Sequence, residues 1–177
     1  MAQWFLYFVI YSFFGYCLEK IFARAVHSQR QVRKCFLLLP LCPVYGLGML
    51  SVLSLSDPQH PFFVQAVLGG ALCTGVEYLV HFFYDKVFQV KFWDYSDLSL
   101  HVNGRICPRF ALIWGFLSAA AARFIHPAVT ALAAAIPPPL ILALWIVFAA
   151  DCVFTASLLH RRHDTELLSL AALASQQ

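Results

Sequence analysis

Charge is what this sequence has least of. Only 12% of its 177 residues are Asp, Glu, Lys or Arg, against about 25% in a typical soluble domain. A water-soluble domain of this size cannot hide 61% hydrophobic residues, 17 of them Phe, because much of its surface must face water. The mean hydropathy of +0.73 points to a lipid environment. Other absences narrow the function. No GxxxxGK[ST] occurs, so the chain carries no P-loop ATPase motif. No CxxC, HxxxH or HExxH spacing occurs, which leaves metal hydrolase chemistry without a local signature. A metal site would have to recruit the dispersed Cys42, Cys107, Glu77 and His81, and none is expected. The six cysteines lie in or beside apolar runs and read as small buried hydrophobes, not as a secreted disulfide framework. No cofactor is indicated. Met1-Ala2-Gln3 puts no positive side chain ahead of the first apolar run, so that run reads as a retained helix and not as a cleaved signal.

What is present is a series of apolar runs long enough to cross a bilayer, which takes about 20 helical residues. They fall at Trp4–Arg24, Phe36–Leu55, Phe62–Tyr84, Phe110–His126 and Leu140–Leu159. The fold class expected is all-α: a polytopic integral membrane bundle of five transmembrane helices. Residues 1–160 form the bundle, and 161–177 form a cytoplasmic tail compatible with a short surface helix over Asp164–Ala174. The second span carries Pro40, Pro43, Gly46 and Gly48 and should enter the membrane bent or broken. The connector between spans three and four, Asp85–Pro108, is long. Its segment Val87–Trp93 suits the interface, with Trp93 and Tyr95 as anchors.

The positive residues set an orientation. With five spans, eleven of the twelve Lys and Arg residues lie on the side of the Ala25–Lys34 loop, the long connector and the tail. Only Arg123 lies opposite. The positive-inside rule then puts the N-terminus outside and the C-terminus in the cytoplasm, with the plasma membrane the expected location. The same basic residues sit in loops beside lipid, so they give no reason to expect a nucleic-acid partner. Membrane lipids are expected partners, along with a homo-oligomer or a transporter-complex subunit.

Polar residues inside the spans collect at one depth. Glu19, Tyr45, Glu77, Arg105 and Asp151 all fall in the cytoplasmic half, and Trp93, Asp94 and Asn103 lie in the adjoining connector. Ionisable groups within a membrane are expensive and mark pathways, sites or paired networks. These eight residues are the candidate substrate-binding set. Glu77 is expected to pair with Arg105, near Tyr45 or Asn103, because a lone carboxylate in hydrocarbon is costly. Trp93-Asp94-Tyr95-Ser96 is expected to fold back on the bundle, with Asp94 accepting from backbone N–H groups or an arginine.

The motifs also resemble a known family. Tyr11-Ser12-Phe13-Phe14-Gly15-Tyr16-Cys17-Leu18-Glu19, Leu39-Pro40-Leu41-Cys42-Pro43-Val44-Tyr45-Gly46-Leu47-Gly48, Phe92-Trp93-Asp94-Tyr95-Ser96, Asn103-Gly104-Arg105-Ile106-Cys107 and Leu112-Ile113-Trp114-Gly115 together resemble the ABC-transporter type IV, or CmpB-like permease, family. That family includes the transmembrane protein 229 group. The resemblance runs from about Tyr7 to Phe116; the fifth span matches only as a hydrophobic segment. It departs at Lys34-Cys35 and Leu39-Pro40, where the family pattern has glycines. It implies a permease-like membrane protein of unassigned substrate. From the residues alone, three functions stay open: transport through a polar inner-leaflet pocket, a structural or interaction role, and an enzyme acting on a lipid head group, with Glu77 or Asp151 as base and Arg105 and Arg109 holding phosphate.

Overall fold

A computed structural model describes residues 1–25, 35–57, 59–165 and 168. The chain is helical, in the order α1 (Ala2–Ala25), α2 (Pro43–Leu55), α3 (Phe62–Phe83), α4 (Pro108–Ala120), α5 (His126–Ala135) and α6 (Pro138–Arg162). Among the described residues the only β-pairing outside these helices is an isolated bridge, Val102 to Ile106. Four segments are long and apolar enough to cross a membrane: Ala2–Ala25, Phe62–Phe88, Pro108–Ala135 and Pro138–Arg162. The all-helical membrane bundle read from the sequence is therefore the architecture observed.

The second run differs from a plain span. Helix α2 has 13 residues, about 20 Å at 1.5 Å per residue, and by itself is too short for the hydrocarbon core. Pro43 stands in its first turn, where a missing N–H costs nothing. Residues 35–42 before it are not helical. Their backbone is satisfied by other parts of the protein: Cys42 N–H donates to Ser12 O at 2.8 Å, and Leu39 N–H donates to Asp151 Oδ2 at 2.9 Å. Irregular backbone at membrane depth is tolerated on these terms.

The fourth run also continues past its expected end. Pro127 does not stop it. A single π-helical turn, Ala121–Ile125, joins α4 to α5, and Pro127 falls in the first turn of α5. A wide turn before the proline removes the clash that a proline inside a regular α-helix would cause. A second π-turn, Tyr84–Phe88, extends α3.

Helix α1 packs on α2, α2 on α3 and α3 on α4. The α3–α4 contact is close where Gly69 and Gly70 meet Gly115 and Ser118. A Cβ on Gly70 would stand 2.9 Å from Ala111 O, so only small residues permit this approach. Two apolar clusters close the ends of the bundle. One gathers Leu6, Tyr7, Tyr11, Met49, Val129 and Ala133. The other gathers Tyr84, Phe88, Val90, Phe92 and Leu159, with Phe36 stacked on Tyr84 at 5.2 Å.

The connector folds back on this second end, as its aromatic content predicts. Trp93 donates from Nε1 to Arg105 O at 3.0 Å. His81 Nε2 meets Trp93 O at 3.0 Å. Tyr95 N–H donates to Gly104 O at 2.8 Å. The basic loop over residues 26–34 and most of the proposed tail helix lie outside the described residues.

Candidate functional site

A cavity of about 320 Å³ lies among α1, α2, α3, α4 and the connector. Its polar lining starts with two carboxylates, Glu19 on α1 and Glu77 on α3. Helix spacing delivers the first: Gly15 and Glu19 are one turn apart on the same face. The ring of Tyr45 occupies the space where a Cβ on Gly15 would stand. That seat puts the Tyr45 hydroxyl 2.8 Å from Glu19 Oε1, to which it donates. The stripe Tyr7, Tyr11, Gly15 is buried as its spacing predicts. Tyr7 and Tyr11, the latter lining the cavity, continue it as polar contacts: Gln3 Nε2 donates to Tyr7 OH at 2.6 Å, Tyr7 OH donates to Thr130 Oγ1 at 3.2 Å, and Tyr11 OH meets His126 Nδ1 at 3.2 Å.

Glu77 is 6% exposed. Its two oxygens take one donor each. Tyr95 OH donates to Oε1 at 2.8 Å, and Trp114 Nε1 donates to Oε2 at 3.1 Å. An indole N–H can only donate. Burial, then the nearby Glu77 charge, raise the Tyr95 phenol well above its ordinary range, which keeps its proton in place as a donor. Tyr95 and Trp114 are in turn fixed by rings: Tyr95 stacks on Phe110 at 4.9 Å, and Trp114 meets Tyr45 edge-on at 5.4 Å.

No cation balances Glu77. Among the described residues the ion pairs are Lys91–Asp94 and Arg105–Asp85, and no Lys, Arg or His lines the cavity. On the flank between α1 and α4, the lining residues Phe14, Leu18, Ile113 and Leu117 are exposed. That flank faces the surrounding lipid.

A family model described as "Putative ABC-transporter type IV" matches residues 6–156. The chain belongs to that family. The match takes in every helix that lines the cavity and most of α6, well beyond Phe116, where recognisable motifs end. No curated protein and no solved structure shows significant similarity to the chain.

In this member of the ABC-transporter type IV family, four of the eight residues singled out from the sequence share the cavity: Glu19, Tyr45, Glu77 and Trp93. The other four are engaged elsewhere. Arg105 does not pair with Glu77, which corrects that expectation. Its guanidinium donates to Asp85 Oδ2 at 2.8 Å and to Tyr78 OH at 3.1 Å, and it lies over the Phe82 ring at 5.0 Å. The reason is helical phase. Tyr78 and Phe82 of α3 and Asp85 of the π-turn that extends it form one stripe, and Glu77 lies on a neighbouring face about 100° away. The Trp93 bond to the Arg105 carbonyl fixes the backbone so that the side chain reaches the first stripe. Asn103 Nδ2 donates to the same Tyr78 hydroxyl at 3.1 Å.

Asp94 forms the local turn expected of it. It accepts from Ser96 N–H at 2.9 Å and from the Ser96 hydroxyl, but its charged partner is Lys91 at 3.2 Å and not an arginine. The Ser96 hydroxyl, then its N–H, and then Lys91 hold the carboxyl down to about 2. Asp151 accepts from Leu38 N–H at 3.2 Å, Leu39 N–H at 2.9 Å and Thr155 Oγ1 at 3.2 Å. It anchors the broken stretch before α2 and does not line the cavity. Nor do Cys42, Cys107, Glu77 and His81 converge: among the described residues no three His, Cys, Asp or Glu side chains are placed to hold a metal.

Sequence reasoning missed Tyr95 and Trp114 as partners of Glu77. Both stand inside quoted motifs, Phe92–Ser96 and Leu112–Gly115. An aromatic in a membrane motif reads first as packing or as an interfacial anchor, and its polar tip is easily overlooked.

Proposed function

We propose that the chain is a permease-like transporter whose cavity, at Glu19, Tyr45, Glu77 and Trp93, binds a solute in the cytoplasmic half of the membrane. The observation that carries this reading is Glu77, a buried carboxylate with two donors and no cationic partner beside an open cavity. Asp151, likewise held by neutral donors, is occupied by two backbone N–H groups and Thr155 away from the cavity, whereas Glu77 lines it. Intramembrane carboxylates facing a cavity are what substrate and ion pathways use. The family match supports the transporter class.

With residues 35–42 and α2 together taken as the second of five crossings, the orientation proposed is N-terminus outside and C-terminus in the cytoplasm of the plasma membrane, from the eleven-to-one split of basic residues. Residues 1–160 act as one bundle, with 161–177 as the tail. With no ATPase motif in the chain, energy would come from a partner subunit or from an ion gradient. The direct test is uptake by proteoliposomes holding the purified chain, against a panel of cationic, anionic and neutral solutes. Saturable uptake of any of them supports the reading. No uptake over empty liposomes across the panel overturns it. Tags at the two ends, probed from outside intact cells, should be accessible at the N-terminus only.

A further inference from the structure

A hydrogen-bonded string runs from the start of α1 to the cavity wall. It begins at Gln3, exposed in the first turn of α1. Gln3 Nε2 donates to Tyr7 OH at 2.6 Å, and Tyr7 OH donates to Thr130 Oγ1 at 3.2 Å. Thr130 Oγ1 lies 3.5 Å from His126 Nε2, and His126 Nδ1 lies 3.2 Å from Tyr11 OH. Tyr7 and Tyr11 are buried, and Tyr11 lines the cavity together with Glu19, Tyr45 and Glu77. Both ring nitrogens of His126 are therefore in the string, one toward each end. An imidazole bonded at both nitrogens can take a proton at one and give one up at the other.

Helical phase builds the string. Tyr7 and Tyr11 stand one turn apart on α1, and His126 and Thr130 one turn apart on α5. The π-turn Ala121–Ile125 comes immediately before His126. It takes about one residue more than an α-helical turn, which shifts the phase of everything after it by about 100°. His126 and Thr130 thereby reach the face of α5 that packs on α1. The Tyr7 ring meets the imidazole edge-on at 4.8 Å and holds it in place. In the Nδ1–H tautomer the bonds share one direction, Tyr7 to Thr130, Thr130 to His126 and His126 to Tyr11, and the Tyr11 proton turns to the cavity. The cavity, about 320 Å³, has room for several waters at about 30 Å³ each beside its polar groups. Histidine and other polar side chains strung together inside a membrane are expensive to bury and are the material of proton relays.

We infer that the bundle conducts protons, with this string as the relay between its Gln3 end and the cavity. In one step Thr130 gives its hydroxyl proton to His126 Nε2 while Nδ1–H passes its own to the Tyr11 oxygen, and Tyr11 releases its proton into the cavity. Tyr7 refills Thr130, and water at the Gln3 end refills Tyr7. At each member one bond to hydrogen breaks as one forms, so a single proton is moved and the string stays neutral. Return of the hydroxyls and the imidazole to their starting orientations resets it. The cavity carries the proton on toward the opposite side, where Glu19 stands in the last two turns of α1. The transport reading leaves open what drives it, and a proton path supplies a driving ion; the inference itself holds whether or not a solute binds.

The test is proton flux into liposomes that carry the purified full-length chain and hold the pH dye pyranine, with no solute added. A potassium gradient and valinomycin set a voltage that draws protons in, and the rate of acidification is read. Wild-type vesicles should acidify faster than empty ones. His126→Phe keeps a ring and removes both nitrogens, and should lower the rate per folded molecule to that of empty vesicles. Where His126→Phe is not monodisperse, Tyr7→Phe, which removes only a hydroxyl, reads the same loss. A purely structural string would lower the yield of folded protein and leave the rate per folded molecule at the wild-type value, and that result would overturn the inference. So would wild-type vesicles that acidify no faster than empty ones. Proton flux without solute uptake across the panel would sink the transport reading and leave this one standing. Saturable solute uptake without proton flux would do the reverse.

Discussion

Replacing Asp151 by Ala should unfold one end of the bundle. Asp151 is the acceptor for Leu38 N–H, Leu39 N–H and Thr155 Oγ1, at 3.2, 2.9 and 3.2 Å. Those two N–H groups belong to residues 35–42, which make no helical ladder of their own. Hydrogen bonds to a charged group contribute about 1.5–3 kcal/mol each, and a buried donor left without a partner costs about 1–3 kcal/mol. Discounting for partial exposure, the change should cost about 3–5 kcal/mol. Phe36 and Leu38 pack on the Tyr84–Phe92 cluster, so the loss should spread to that end of the molecule. Asp151→Asn keeps one acceptor oxygen and should lose roughly half as much. The assay is thermal unfolding of the detergent-solubilised full chain, followed by the height of the monodisperse size-exclusion peak. A fall of about 10 °C is expected for Ala, on the scale of a few degrees per kcal/mol for a chain of this length. Wild-type stability in Asp151→Ala would show that residues 35–42 are held by other means and that the role assigned to Asp151 is wrong.

Gly115→Leu should abolish monodisperse protein, since a Cβ there already meets the Ala66 carbonyl and Gly70 across the α3–α4 contact; normal yield would refute the close approach. Arg105→Gln should lower stability through loss of the bonds to Asp85 and Tyr78, with faster amide exchange over residues 93–105; unchanged exchange would mean the connector is held by Trp93 alone. Asp94 titrates at about 2 in the fold, below its ordinary 3.8. A depressed carboxyl contributes stability that is fully present above the unfolded value and lost as pH falls through the folded one. Exchange protection of Tyr95 and Ser96 should therefore hold from neutrality to about pH 4 and fade between about 4 and 2. Fading near pH 6 would contradict the assignment.

The sequence made the fold readable because lipid-facing helices announce themselves by length and apolarity, and four long spans fall where the runs do. The break before α2 was legible from Pro40 and Pro43, and the turn at Asp94 from a short acceptor two residues before Ser96. The passage of the fourth span through Pro127 was not, because a π-turn leaves no mark in composition. The site was half legible. Depth along the spans gathered Glu19, Tyr45, Glu77 and Asp151 at one level, and the first three line one cavity. Depth says nothing about which way each side chain faces, and Asp151 faces residues 38 and 39. The Glu77–Arg105 pairing failed for a related reason. Charge complementarity nominated the nearest arginine, while the fold satisfied Glu77 with neutral donors from Tyr95 and Trp114. That substitution leaves Glu77 without a cationic partner among the described residues, and the proposed function depends on it.

The central claim is that Glu77 serves a ligand and not only the bundle. Saturable uptake should be measured in proteoliposomes containing equal amounts of monodisperse wild-type and Glu77→Gln protein, across the panel of cationic, anionic and neutral solutes. The account predicts saturable uptake by wild type and at least a tenfold loss per folded molecule in the variant, a tenfold loss corresponding to about 1.4 kcal/mol. Equal uptake by the two folded proteins, or uptake by neither, would contradict it.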